Sequence, residues 1–289
     1  MGRQGIEGAR TQRAARRRDD PGIYGRAYGF ERAMDNLGAI GGPLLALGLV
    51  AAIGVRGAIL VSVVPGILAA VAILYAIRHA PRLDGRGHRP VRIRVRPVIR
   101  GTAGKAHAGR GAFEAGNVAA TLLILRATEL LEPGRGQGAA TQIALGFYIA
   151  YYVAATLTSL GAGRVSDSLG NVPVLAAGAA AFLLAYLGFA VGSVPLASAA
   201  SVVAGVGIGC VETAEQAAVA SLAPEHYRGS AFGLLAAIQS FGNLAASGVA
   251  GLLWTVFSPS AAFAYLAARM VVALAGFSSF LNLRALAPT

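Results

Sequence analysis

Charge is scarce in this sequence. Asp, Glu, Lys and Arg make up 13% of its 289 residues, against roughly 25% in an ordinary soluble domain, which is too few to cover a water-facing surface. Acidic residues are rarer still, 13 against 25 basic ones. The single cysteine, Cys210, cannot form an internal disulfide, and inside an apolar run it reads as a small buried hydrophobe. The four histidines, His79, His88, His107 and His226, lack metal-ligand spacing, so neither metal nor cofactor is expected. Signatures of catalysis are missing as well: there is no Gly-rich phosphate loop with lysine, no His-Glu-x-x-His and no Asp-rich headgroup-transferase motif. The chain therefore reads as a non-enzyme.

What the sequence does have is apolar length. Hydrophobic residues reach 55%, and about 20 consecutive ones span the hydrocarbon of a bilayer as a helix. Runs bounded by charge, Pro or Gly predict eight spans, at 30–54, 57–77, 112–131, 139–162, 173–192, 195–222, 230–257 and 260–283. Barrel strands would alternate apolar and polar residues, and these runs do not. The expected fold is an all-α, polytopic membrane helix bundle.

A net charge of +12 could suit nucleic acid, but the basic residues lie in the connections, which makes the lipid surface the better partner. With both termini cytoplasmic, that side gathers eight Arg within residues 1–32 and ten Lys or Arg from Arg78 to Arg110, while the other side keeps Arg56 and Arg135. Such asymmetry sets orientation. The expected organisation is a basic cytoplasmic segment at 1–24, which lacks the apolar core of a signal peptide, two helices within 25–77, a basic linker at 78–111 containing "RGHRPVRIRVRPVIR", and six helices within 112–284.

Sliding the chain by 204 residues reveals a repeat. Gly25, Ala27, Gly29, Ala33, Gly38 and Ala46 fall on Gly229, Ala231, Gly233, Ala237, Gly242 and Ala250, and Tyr28 falls on Phe232. Internal repeats build many transporter folds, with the substrate site between them. Four predicted spans precede the second copy, and only 24 polar residues precede the first.

Four segments carry a resemblance to the major facilitator superfamily of secondary transporters. Gly29, Gly38 and Gly42-Pro43 are similar in spacing to the antiporter motif of drug/proton antiporters. "GRVSDSLGNVPVL", 163–175, is similar to the superfamily's signature loop, with Ser168 and Asn171 in place of basic residues. "RGSAFG", 228–233, is similar to a phrase at the start of helix eleven, and "GNVAATLLILRA", 116–127, resembles helix seven of a bacterial branch. The resemblance implies helices five to twelve of a twelve-helix permease in a bacterial inner membrane, moving a small solute by alternating access, with proton-coupled efflux. The alternative is a truncated, transport-inactive protein, or a subunit needing a missing N-terminal part or a partner chain. Through the same resemblance, Gly163, Ser166, Asp167 and Gly170 form a gating loop, with Asp167 holding the cytoplasmic side closed in one state.

Ionisable residues inside spans are functional candidates by default. Glu212 and Glu215 are three apart on one face, and two carboxylates so close in low dielectric repel each other and lose hydration, the condition for carrying a proton. Arg269 is their expected counter-charge. Asp35 is a proton or gating candidate, while Glu31 suits the positive N-terminal end of its helix. Arg32 reads as a residue snorkelling to the cytoplasmic interface, and so does Glu114, which shares a face with Asn117. Arg126 and Glu129 suit an ion pair near the outer interface. Gln239 and Asn243, four apart, either face the pathway or bond across helices. Gly38 and Gly42 should admit a neighbouring backbone, with a bend at Pro43.

Overall fold

The computed structural model describes residues 23–79, 113–114, 116–223 and 228–285. Apolar runs become helices because backbone N–H and C=O groups in hydrocarbon must find partners within the chain. Eight follow in order among the described residues: α1 Tyr24–Val61, α2 Val63–His79, α3 Ala120–Leu131, α4 Gln137–Leu169, α5 Asn171–Val191, α6 Val194–Leu222, α7 Arg228–Val256 and α8 Pro259–Ala285. The described residues contain no strand. Among the described residues six stretches are long and apolar enough to cross a bilayer, the first being Tyr24–Tyr75. The N-terminal segment before Ile23, most of the basic linker, and His88, His107 and His226 lie outside the described residues.

The chain forms two units, residues 1–36 with 94–289, and residues 37–93. In the smaller unit, the backbone at Pro43, where a bend is expected, keeps helical angles. Helix α1 runs through Pro43, and its non-helical residue is Gly54, at φ 73° and ψ 171°. That region of backbone space is essentially open only to glycine. Nor do Gly38 and Gly42 admit a neighbour, for a Cβ on either would meet nothing within 4 Å among the described residues. Leu44, Leu60, Leu68 and Tyr75 stand exposed, a surface suited to hydrocarbon.

The larger unit is organised around α6, whose glycines let three helices meet closely. A Cβ on Gly209 would stand 2.6 Å from the Ala155 carbonyl oxygen of α4, and one on Gly207 would stand 2.8 Å from the Phe182 ring of α5. Gly205, four residues before Gly209, faces the Tyr151 carbonyl. Small residues four apart are how membrane helices gain packing contact without a hydrophobic driving force between them. Around this seam Phe182, Tyr186, Phe189, Phe263, Leu266 and Met270 are almost completely buried.

The predicted span 112–131 is interrupted. Phe113 and Glu114 are helical, Gly116–Ala119 are not, and α3 is only 12 residues long. Non-helical backbone at membrane depth persists only where its polar groups are satisfied. Here the Tyr186 hydroxyl donates to the Gly116 carbonyl at 2.9 Å and accepts the Val118 N–H at 3.5 Å, and Asn243 Nδ2 donates to the Asn117 carbonyl at 3.2 Å.

Gly209→Ala should overpack the α4–α6 seam and cost about 1–3 kcal/mol, read as a lower melting temperature in detergent. Gly248→Ala, where a Cβ meets open space, should leave the protein as stable or slightly more so, by up to about 1 kcal/mol. Equal effects would remove the seam from the account of stability.

Candidate functional site

In the larger unit, a cavity of about 440 Å³ lies among α6, α7 and the interrupted segment before α3. That volume falls in the range of small-molecule sites. Its polar lining is Glu114, Asn117, Glu212, Glu215, Gln239, Ser240 and Asn243, and its apolar lining is Ile208 and Val211. Glu212 lies ten residues before the end of α6 and Gln239 eleven after the start of α7, which at 1.5 Å per residue puts both about 15–17 Å from that end of the bundle. This is near the middle of a hydrocarbon layer roughly 30 Å thick.

Six residues singled out in the sequence thus meet in one place although they come from three separate stretches of chain. Glu215 is 1% exposed and accepts a hydrogen bond from Gln239 Nε2 at 2.6 Å. Glu114 is 2% exposed, which corrects its reading as a snorkelling residue. The break at Gly116 ends its helical turn inside the bundle, and Gly242 of α7 leaves room for its main chain, since a Cβ there would stand 2.6 Å from the Glu114 Cβ.

Arg32 is also not a snorkelling residue. Its side chain is 20% exposed and reaches Asp35 at 2.6 Å, Glu31 at 3.6 Å and Glu212 at 3.9 Å. Arg32 of α1 is thus a cation beside Glu212. Arg269, the expected counter-charge, has its Cβ 2.7 Å from where a Cβ on Gly116 would stand, next to the helix break. Asp35 does not line the cavity, and its side chain is 57% exposed. Arg32 was legible as a partner of Asp35 from the i, i+3 spacing of opposite charges, but its link to α6 had no sequence signal.

Asp167 of α4 stands at the end of the bundle that holds the α1 N-terminus. It accepts the backbone N–H groups of Gly25 at 2.7 Å and Arg26 at 3.1 Å, and pairs with the Arg26 guanidinium at 3.5 Å. A carboxylate there satisfies orphan donors and complements the helix dipole. Close approach permits it: a Cβ on Gly29 would stand 2.5 Å from the Ser159 carbonyl, and Gly25 lies against Gly163. Gly170, at φ 88°, turns the chain from α4 into α5, while Ser166 hydrogen-bonds the Asn171 side chain. Beside this cap the two repeat copies touch. Arg228 donates to the Tyr24 hydroxyl at 2.7 Å, and Tyr28 and Phe232 pack at 5.6 Å between ring centres. Both pairs are 204 residues apart, so equivalent positions meet each other.

At the opposite end Arg126 lies 3.6 Å from Glu129 and reaches the Phe189 carbonyl at the C-terminal turn of α5, and Glu129 accepts from Trp254 at 3.1 Å. Among the described residues no group of His, Cys, Asp and Glu could hold a metal ion.

Asp167→Ala should cost about 1 kcal/mol of stability, and up to about 2, with Asp167→Asn losing less because one acceptor remains. Thermal unfolding in detergent checks this, and equal stability of all three proteins would remove the cap.

Residues 134–287 match the sequence model of the family described as Major Facilitator Superfamily. The chain is also 28% identical, over 260 residues, to an uncharacterized MFS-type transporter of Methanocaldococcus jannaschii, an alignment covering 85% of this chain and 61% of that protein. The chain thus spans about three fifths of the length of this curated relative. With a family match over more than half its residues and a bundle of long apolar helices, the chain belongs to the Major Facilitator Superfamily.

Proposed function

We propose that this chain forms part of a secondary transporter that moves a small solute by alternating access through the cavity of Glu114, Asn117, Glu212, Glu215, Gln239 and Asn243, in exchange for protons and in the outward direction. The observation that supports it most is the meeting of three carboxylates and three amides about halfway along long apolar helices. Ionisable groups are costly at that depth, and they are retained where they serve transport.

Proton coupling follows from what each carboxylate holds. A proton on Glu212 removes its attraction for Arg32, 3.9 Å away on α1, and leaves Arg32 to Asp35 and Glu31. A proton on Glu215 weakens the charge-assisted bond from Gln239 of α7. Either event loosens a link between helices, so proton binding biases one conformation over the other. The Asp167 cap and the Arg228–Tyr24 bond close one end of the bundle, and opening that end requires breaking them. Outward direction rests on the antiporter-like spacing of Gly29, Gly38, Gly42 and Pro43. We read the chain as lying in a bacterial inner membrane with both termini cytoplasmic, an orientation that the basic residues of the connections support.

Proteoliposomes loaded with a pH-sensitive dye and challenged with a panel of small solutes test the coupling. At least one solute should change lumenal pH with the wild-type protein, and Glu212→Gln or Glu215→Gln should reduce that response about tenfold or more. An unchanged response in both variants removes the pair from the mechanism.

A further inference from the structure

The interrupted segment before α3 carries two lining residues of the cavity, and part of what fixes it lies behind the cavity wall. Glu114 and Asn117 stand on either side of Gly116. Two short turns join them, in which the Gly116 N–H donates to the Phe113 carbonyl at 2.8 Å and the Asn117 N–H to the Glu114 carbonyl at 3.2 Å. Turns of this kind hold the chain over about four residues only. Beyond them the backbone depends on two side chains, Tyr186 of α5 at Gly116 and Val118, and Asn243 of α7 at the Asn117 carbonyl.

These two anchors differ in what stands behind them. Tyr186 is completely buried, and its ring packs on Phe182 at 5.5 Å and on Phe263 at 6.2 Å between ring centres. Phe113, at the head of the segment, meets the same Phe182 edge-on at 5.6 Å. Among the described residues nine of α5 are buried, against Leu235, Ala246 and Ala250 of α7, so Tyr186 projects from the core of the bundle and Asn243 from a helix at its edge. Tyr186 does not line the cavity. A phenylalanine would fill the same space among Phe113, Phe182 and Phe263, so packing alone does not account for the hydroxyl, and a buried hydroxyl is costly unless it is bonded.

We propose that Tyr186 is a positioning residue of the solute site. From behind the wall its hydroxyl pins the segment of Glu114 and Asn117 to the core, so that these two residues stay with the core while Gln239, Ser240 and Asn243 move with α7. The role rests on the reading of this cavity as the solute site and adds a residue that acts on it from outside.

Iodoacetamide, small and uncharged, probes the segment in the purified full chain with Cys210 replaced by alanine. Asn117→Cys places a thiol on the cavity wall and Val118→Cys places one in the core, where Val118 is 6% exposed. With Tyr186 intact, position 117 should be alkylated about tenfold or more faster than position 118. Tyr186→Phe removes the oxygen and keeps the ring, and the ratio of the two rates should then fall about threefold to tenfold, the worth of one hydrogen bond. Ser159→Cys, completely buried in α4 against Asn36 of α1, reports general loosening and should change by less than about twofold. In the dye-loaded vesicles, Tyr186→Phe should raise the half-saturating concentration of a coupled panel solute about threefold to tenfold, with the maximal rate within about twofold. An unchanged ratio, or an equal rise at position 159, would overturn the anchor. Equal rates at 117 and 118 with Tyr186 intact would overturn it even if the phenylalanine variant fails to fold. An altered ratio with unchanged half-saturation would remove Tyr186 from the solute site and leave transport standing. Absence of coupled flux for every solute with Tyr186 intact would overturn the transport reading, while the alkylation rates still decide the anchor.

Discussion

Every backbone polar group placed in hydrocarbon has to find its partner within the protein, and this requirement governs both the regular and the irregular parts of the structure. Continuous helices meet it residue by residue, and so the apolar runs take that form. The stretch Gly116–Ala119 does not meet it alone. It persists because Tyr186, from α5, and Asn243, from α7, supply the missing donors and acceptor. Loss of local regularity is thus covered by tertiary contact, and the place where this happens borders the cavity.

The cavity inherits its polarity from the same arrangement. Asn243 lines the wall and also holds the Asn117 carbonyl, so the residue that stabilises the interrupted segment belongs to the solute site. Gln239, one turn earlier, holds Glu215. Two amides on one face of α7 thereby fix the backbone of one neighbour and a carboxylate of another. Movement of α7 against α6 cannot leave both bonds intact, which ties the state of the site to the packing of the bundle.

Much of this was legible in the sequence, for identifiable reasons. A lipid-spanning helix must be apolar along its length, so α5 to α8 lie within about two residues of the predicted spans, while α4 runs on to Leu169, past its predicted end at 162. A carboxylate or amide inside such a run stands out, as Glu212, Glu215, Gln239 and Asn243 do. The illegible parts depend on residues distant in the chain. Residues 112–131 read as one apolar run, and the break at Gly116 is stabilised by side chains 70 and about 126 positions further on. Arg32 was read from its interfacial position, whereas its link to Glu212 crosses 180 residues. Pro43 carries the stronger sequence signal for a bend, yet the departure from helical geometry falls at Gly54, where the backbone angles need a residue without a Cβ.

The two contacts between equivalent positions of the repeat differ in how they treat symmetry. A single ancestral half pairing with an identical copy would bring each such position against itself on the dyad. Tyr28 opposite Phe232 is close to such a self-match, for two aromatic rings suit either arrangement. Arg228 opposite Tyr24 is not, because a symmetric ancestor with arginine there would have set guanidinium against guanidinium. With arginine at one position and tyrosine at the other, a cation meets its phenolic acceptor, so this bond exists only because the two copies differ there.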